Sequence, residues 1–166
     1  MASTTFSGPV KSKNGFVSIG TGMVIATAVP ITLTVAEHAG RIVQIIDADG
    51  VITLPTLSRV DDDSNNMGAV FRCYVSLLPA TNLTFVAAAA NPILGQLRVG
   101  VSAATSGKTF FPAGTDHVIT LNGSTKGGLV GSHLEFTAVM GFSNSKWIVT
   151  GDLNGSGSTV TPFSTT

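Results

Sequence analysis

The sequence is short of charged residues. Nine basic and nine acidic residues make up 11% of its 166 residues, and they cancel to a formal net charge of zero. Ordinary soluble domains carry about 25% charged residues, and a weakly charged surface favours association. A chain without a basic excess has little to attract a nucleic acid backbone or an anionic lipid surface. We therefore expect neither nucleic acid nor a membrane as a partner.

Cysteine and long apolar runs are also scarce. The single cysteine, Cys73, lies in the apolar stretch 69–78. It cannot form an intramolecular disulfide, and we expect it to be a small buried side chain. The most apolar window, residues 22–36, spans about 15 residues, whereas a membrane-spanning helix needs about 20. The first residues lack the apolar core of a secretory signal, which predicts a protein made and used without Sec export.

Serine, threonine and short β-branched runs dominate what is present. The chain holds 16 serines and 21 threonines. Its apolar runs are broken by Gly, Pro, Asn and Asp at intervals of about 8 to 12 residues, the pattern of an all-β sandwich or barrel. We expect strands near residues 16–19, 23–28, 31–34, 41–47, 50–54, 69–78, 83–88, 96–101, 108–111, 117–121, 133–141 and 145–150.

Two local patterns are the clearest. In residues 133–139 every second residue, beginning with Leu134, is apolar, and a polar turn over 142–146 leads to Trp147. This alternation predicts a β-hairpin with one buried face, leaving His133 and Glu135 together on the other face. In residues 34–40, Thr34 is a potential helix cap and Gly40 a potential terminator, which predicts one short helical turn near 35–39.

The predicted fold class is all-β. We expect a compact β-sandwich or β-barrel-like domain over residues 16–150. The Ser-, Thr-, Gly- and Lys-containing residues 1–15 are expected to form an extended N-terminal arm, and the Gly-, Ser- and Thr-rich residues 151–166 a flexible C-terminal tail. The two end segments are either frayed termini or, because each contains an isolated aromatic residue, arms that become ordered on a neighbouring subunit.

No motif in the chain predicts catalysis, a cofactor or a metal site. The Gly100–Thr109 segment has six residues between its glycines, where a phosphate-binding loop needs four, and no helix follows. The acidic run Asp61–Asp63 lacks the glycine and glutamate of a calcium loop. Adjacent pairs such as Asp116 and His117 fall in no hydrolase motif. Most aromatic residues lie in alternating apolar runs, which favours the core over a sugar-binding face.

Four segments taken in chain order resemble one group of proteins. They are residues 4–16, 33–41, 52–55 and 69–75. Their order resembles small virion structural proteins of tailed bacteriophages, marine ones in particular, among them capsid decoration (cement) proteins and related head and fibre proteins. The resemblance covers roughly residues 4–75, and beyond it only the β pattern agrees.

The resemblance implies a structural role and no enzyme activity. It implies a trimeric β-rich subunit, made in the host cytoplasm, that sits on the capsid exterior of the virion. There it clamps neighbouring copies of the major capsid protein. It carries over no catalytic residue, cofactor or metal. The alternative is a tail or head-fibre module that binds host glycans or a receptor, which requires a cluster of exposed aromatics.

The N-terminal arm is the predicted contact element. Its aromatic and basic residues are expected to touch the capsid or a neighbouring subunit, because an aromatic anchor and paired lysines stand in an otherwise small and polar segment. The predicted contact residues are Phe6, Pro9, Lys11, Lys13 and Phe16.

Overall fold

The computed structural model describes residues 23–26, 29–47, 49–60, 65–101, 107–141 and 144–166. Within these ranges the chain forms thirteen β-strands and one helical turn. The strands form two sheets, each with edge strands, which pack face to face around one core. The predicted all-β class is therefore confirmed as a sandwich, and the sheets do not close into a barrel.

The two sheets contain strands from both halves of the chain. In order across the first sheet, sheet A, the strands are β1 (Met23–Ala26), β3 (Ile42–Ile45), β5 (Val70–Val75), β11 (His133–Val139), β12 (Lys146–Gly155), β8 (Leu97–Val101) and β9 (Lys108–Phe110), and β7 (Ile93–Gly95) also pairs with β12. In order across sheet B they are β13 (Phe163–Ser164), β10 (Val118–Leu121), β6 (Leu83–Val86), β4 (Gly50–Thr53) and β2 (Ile31–Thr32).

Strands β1 to β6 wind as a coil, and we call residues 23–86 the coil region. Successive strands alternate between sheets A and B, so that β1, β3 and β5 are parallel neighbours in sheet A. Strands β2, β4 and β6 are parallel neighbours in sheet B. Parallel neighbours need a long crossover, and here each crossover passes through the opposite sheet.

Residues 93–166, the C-terminal region, pair mostly in antiparallel fashion. Strands β8 and β9, β11 and β12, and β10 and β13 are antiparallel pairs, whereas β7 and β8 run parallel to β12. The region joins the coil region through two further antiparallel pairs, β5 with β11 and β6 with β10. The boundary between the two regions therefore runs through both sheets.

Four aromatic side chains fill the core at this boundary. Phe71 and Trp147 meet edge to face with ring centroids 5.7 Å apart, and Phe85 and Phe136 lie 5.4 Å apart across the sandwich. All four are fully buried. Each contact joins a coil strand to a C-terminal strand, so aromatic packing holds the two regions together.

The predicted hairpin and helical turn are both confirmed. Leu134, Phe136 and Ala138 of β11 are buried, and β11 pairs with β12 through seven residue pairs. The turn α1 (Val35–His38) begins at the cap Thr34, whose Oγ1 accepts the Glu37 backbone N–H at 3.3 Å. Gly40 follows with φ 73°, the left-handed conformation that favours glycine.

The C-terminal segment differs from its prediction. Residues 151–155 continue strand β12 beside β8, and β13 (Phe163–Ser164) pairs with β10. Leu153 and Phe163 are buried, only 1% and 5% exposed. The prediction of a flexible tail over 151–166 is therefore wrong for this part of the chain. Pairing with distant strands overrides the turn-forming composition of the segment.

Strand prediction missed one further strand. Strand β7 (Ile93–Gly95) was not expected, because three residues between Pro92 and Gln96 give too short a pattern to identify. The predicted strand at 16–19 lies outside the described residues, as does the predicted N-terminal arm. The remaining predicted strands overlap observed ones.

Candidate binding faces

The outward face of sheet A carries a polar row that crosses six strands. The paired residues are, in order, Gln44, Tyr74, His133, Asp152, Arg98 and Thr109. A second row beside it contains Ile42, Arg72, Glu135 and Thr150. Neighbouring strands lie about 4.8 Å apart, so successive members of a row are within side-chain reach. We call this surface the ladder face.

Opposite charges alternate along the ladder face. Arg72 Nε donates to Glu135 Oε2 at 2.7 Å, and Arg98 Nη1 lies 3.6 Å from Asp152 Oδ1. His133 Nε2 is 4.0 Å from Asp152 Oδ2. These side chains are between 39% and 67% exposed, and exposed ion pairs contribute at most about 1 kcal/mol each to stability. These charges therefore determine the electrostatic character of the surface but contribute little to the stability of the fold.

A shallow groove of about 200 Å³ lies between the two rows. Ile42 and Tyr74, which are 47% and 38% exposed, form its apolar part, and Arg72, His133 and Glu135 also line it. An apolar centre bordered by charged groups resembles the core and rim of a protein interface. The groove is therefore suited to hold one apolar or aromatic side chain.

Cys73 lies behind the groove, and its thiol has low reactivity. Its side chain is 1% exposed and unpaired with any other cysteine of the chain. Burial raises the pKa of the thiol from 9.0 to about 12, because the anion would lose its hydration. A protonated buried thiol is a poor nucleophile, and the prediction of a small buried side chain is confirmed.

The described strands of sheet B place no charged side chain on their outward face. Its two rows contain only small and β-branched residues, and we call it the threonine face: Thr32, Val51, Thr53, Thr84, Val86, Val118, Thr120 and Ser164. Val118 is largely covered, with 6% of its surface exposed. Val51 is 39% exposed, and Thr84 and Thr120 are half-buried at the centre of the sheet. Covering such a surface removes no ion from water, so its desolvation cost is low.

The three histidines lie in different settings. His38 is buried, and its Nδ1 accepts the Thr34 backbone N–H at 3.0 Å. His117 Nδ1 lies 3.1 Å from the Thr115 carbonyl oxygen. His133 and Glu135 do share a face, as predicted, but Glu135 is bound to Arg72. Across the described ranges, no group of three His, Cys, Asp or Glu side chains has metal-binding geometry.

A second, more open groove lies beside the loop that follows β4. It measures about 370 Å³ and is lined by residues 57–60, 90–91 and 144–145. Both polar side-chain atoms of Asn91 at its base form hydrogen bonds: its Oδ1 accepts the Leu57 N–H at 3.0 Å, and its Nδ2 donates to the Ser145 carbonyl at 3.2 Å. This amide holds two loops together.

The predicted contact residues and the acidic loop cannot be placed. Phe6, Pro9, Lys11, Lys13 and Phe16 lie outside the described residues, as do positions 61–64 with the Asp61–Asp63 run. The ladder face was missed by sequence reasoning. Alternation does place Arg72 with Tyr74 and His133 with Glu135, but only the strand register aligns these pairs on one surface.

Among the described residues most aromatics lie in the core, as predicted, with two exceptions. Tyr74 is 38% and Phe111 69% exposed. Four strand spacings separate β5 from β9, which places these two side chains roughly 19 Å apart. The described exposed aromatics therefore do not form a cluster.

Comparison with known proteins gives no relative. No protein-family model matches the chain, and neither the curated proteins nor the solved structures give a match. In the part of the chain that the structure describes, no helix has the length and apolarity needed to span a bilayer.

Proposed function

We propose that the protein is a capsid decoration (cement) protein of a tailed bacteriophage, and that it binds the outer surface of the assembled head. The single observation that carries the proposal is the threonine face, a β surface on which the described strands of sheet B place no charged side chain. The order of the four segments in residues 4–75, which resembles virion structural proteins, supports the phage context.

The threonine face has a low desolvation cost, and contacts repeated over a lattice add to its effect. Threonine and valine side chains on a sheet are stiff, so ordering them at an interface costs little conformational entropy. A subunit with a formal net charge of zero does not repel its copies on a lattice. A ligand that binds only the assembled shell stabilises that shell by mass action, and many copies on one lattice multiply the effect.

The proposed partners are the major capsid protein and other copies of this chain, assembled as a trimer. Residues 1–15 are proposed to reach across the shell or a neighbouring subunit, with Phe6, Pro9, Lys11 and Lys13 as contacts. The described chain enters sheet A at Met23, on the edge strand β1.

A fibre module that binds host glycans is the second candidate. Tyr74 favours it, because an exposed ring beside Arg72 and His133 provides stacking and hydrogen bonds for a sugar. Tyr74 and Phe111 lie roughly 19 Å apart, so they do not form the cluster of exposed aromatic rings that a glycan-binding surface requires. We therefore rank this function second.

Co-sedimentation tests the proposal. Expanded capsids of the major capsid protein encoded in the same genome, stripped of accessory proteins, are mixed with the purified chain. We expect stoichiometric binding and a higher capsid melting temperature. Thr84→Lys, in the middle of the threonine face, should reduce binding. Thr150→Lys, the same change on an exposed position of sheet A, is the matched control and should bind normally.

Two outcomes would overturn the proposal. If wild-type protein fails to sediment with capsids, decoration is wrong, and a glycan screen against Tyr74→Ala and wild type becomes the discriminating measurement. If Thr84→Lys binds as tightly as Thr150→Lys, the threonine face is not the contact surface. Deleting residues 1–15 without loss of affinity would exclude the arm.

A further inference from the structure

His38 closes the short turn that carries the chain from sheet B to sheet A. Its side chain is buried at the end of α1, between the edge strand β2 and strand β3. Two hydrogen bonds join the ends of this turn in opposite directions. The His38 backbone N–H donates to the Thr34 carbonyl oxygen, and the Thr34 backbone N–H donates to His38 Nδ1, both at 3.0 Å. The imidazole therefore holds the first residue of the turn from its last.

The bond to the ring requires a neutral imidazole. A backbone N–H can only donate, so Nδ1 must offer a free lone pair, and the proton of the neutral ring is then on Nε2. A charged imidazolium carries a proton on both nitrogens and would set two donors against each other. The Thr34 hydroxyl oxygen lies 3.3 Å from Nδ1 and already accepts the Glu37 N–H, so it offers only a long replacement bond. Protonation of His38 therefore breaks the closing contact.

Among the described residues, no carboxylate compensates for this loss. His38 belongs to no ion pair in this part of the chain. Strands β2, β3 and β4, which adjoin the turn or pair with β2, contain no charged residue. Strand β5 meets the turn where the Gly40 N–H donates to the Val70 carbonyl oxygen at 2.8 Å. The charged and titratable residues of the turn, of β5 and of the described part of the loop before β5 form no bond to His38: Glu37, Arg41, Arg59, Arg72, Cys73 and Tyr74.

We infer that protonation of His38 opens the turn over residues 34–40 and loosens the edge strand β2, so that this edge of the sandwich responds to acid. Histidine is the side chain whose charge ordinarily changes between about pH 5 and 8. The closing bond is present at neutral and alkaline pH and is lost as the pH falls through that range. Strand β2 pairs through Ile31 and Thr32 alone, so it depends on the turn that follows it. The inference concerns the isolated chain and does not rest on the proposed capsid role.

Amide hydrogen exchange of the full-length protein, followed residue by residue by NMR, tests the inference. Protection factors, which correct for the intrinsic effect of pH, are compared at about pH 7.5 and about pH 5.5 for the Thr34, His38 and Gly40 amides. We expect them to fall roughly fivefold in acid, the equilibrium effect of about one hydrogen bond. In His38→Asn, Oδ1 takes the place of Nδ1 and accepts the same N–H without titrating, so protection should not change with pH. His133→Asn, the same substitution at an exposed histidine, is the matched control and should respond like wild type.

A measurement on wild type keeps the test decisive if His38→Asn fails to fold, which the fluorescence of the buried Trp147 detects. The ring nitrogen NMR signals of His38 are followed from about pH 8 to about pH 5. A neutral ring protonated on Nε2, whose conversion to the charged ring shifts the Thr34 amide signal in parallel, supports the inference. A ring protonated on Nδ1 at neutral pH, or a Thr34 signal that does not follow His38, would overturn it. Equal acid responses in wild type and His38→Asn, or a response abolished by His133→Asn, would also overturn it.

Discussion

The coil region and the C-terminal region solve the same problem, burying one face of each strand, with different loop chemistry. The coil region needs long connections, and side-chain amides fix them: Asn66 Oδ1 accepts the Ser58 N–H, and its Nδ2 donates to the Thr56 carbonyl, both at 2.8 Å. The C-terminal region also fixes a loop with an amide, because Asn122 Oδ1 accepts the backbone N–H groups of Ser124 and Lys126, but it holds six of the nine described glycines with positive φ. Side-chain amides therefore fix loops in both regions, and left-handed glycine turns are concentrated in the region that pairs mostly in antiparallel fashion.

The two regions share one core, which makes their independence testable. The four boundary aromatics each contact a partner from the other region. We therefore expect the sandwich to unfold as a single cooperative unit, even though the chain winds differently on the two sides.

The largest effect is expected from truncating a boundary aromatic. Phe136→Ala removes the contact with Phe85 and leaves a cavity at the junction, which should lower the free energy of unfolding by about 3–5 kcal/mol. Phe111→Ala, at a 69% exposed phenylalanine, is the control and should change it by less than about 0.5 kcal/mol. Urea denaturation measures both, and two separate transitions would show that the regions are independent.

The next largest loss of stability is expected from substituting a glycine of the C-terminal region. Gly95 has φ 105°, and a Cβ there would overlap the Val149 carbonyl oxygen on β12. Gly95→Ala should cost about 3 kcal/mol from backbone strain and overpacking. Gly114→Ala has open space and an ordinary φ, so it should stabilise by about 0.4–1 kcal/mol. Thermal melts compare the pair, and similar melting temperatures would contradict the role of Gly95.

An amide that joins the two regions should have an intermediate effect. Asn91→Ala leaves the Leu57 N–H of the coil region and the Ser145 carbonyl of the β11–β12 turn without their buried partner. The expected loss is about 2 kcal/mol, because both groups are cut off from water. Asn65→Ala, at an exposed asparagine that bonds the Met67 N–H, should cost less than about 0.5 kcal/mol in the same denaturation assay.

Because Cys73 of the coil region is buried, we expect the free energy of unfolding to depend on pH. Folding raises the pKa of Cys73 from 9.0 to about 12, so above pH 9 the unfolded chain loses a proton that the native chain keeps. Stability should therefore be full below pH 9 and fall by up to about 1.4 kcal/mol per pH unit from there toward pH 12. Cys73→Ala lacks the group, and its stability should fall less steeply between pH 9 and 10.5. Parallel slopes for both proteins would refute this linkage.

The smallest effect on the free energy of unfolding is expected from an ion pair on the surface of the boundary. Arg72 of β5 and Glu135 of β11 join the two regions by an ion pair that is half-exposed. Arg72→Ala should cost no more than about 1 kcal/mol, and less in high salt, because solvent screens the pair. Denaturation midpoints at low and high salt test this. A loss of stability that does not depend on salt would instead indicate that the aliphatic part of Arg72 no longer packs over the groove.

The sequence by itself determined the local elements. Period-two alternation identified β11 with its buried Leu134 and Phe136, and the cap at Thr34 with Gly40 identified the single helical turn. The burial of Cys73 followed from its apolar neighbours. These features depend on residues that are adjacent in the chain, where side-chain periodicity and capping act directly.

Only the tertiary structure decided which strands pair. Strand β13 (Phe163–Ser164) and residues 151–155 look like a loop in sequence, yet they are ordered by β10 and β8. The parallel coil and the alignment of Tyr74 with His133 and Asp152 also depend on register between distant segments. Alternation fixes the face on which a side chain lies but not its neighbour across the sheet, because many pairings bury the same apolar residues.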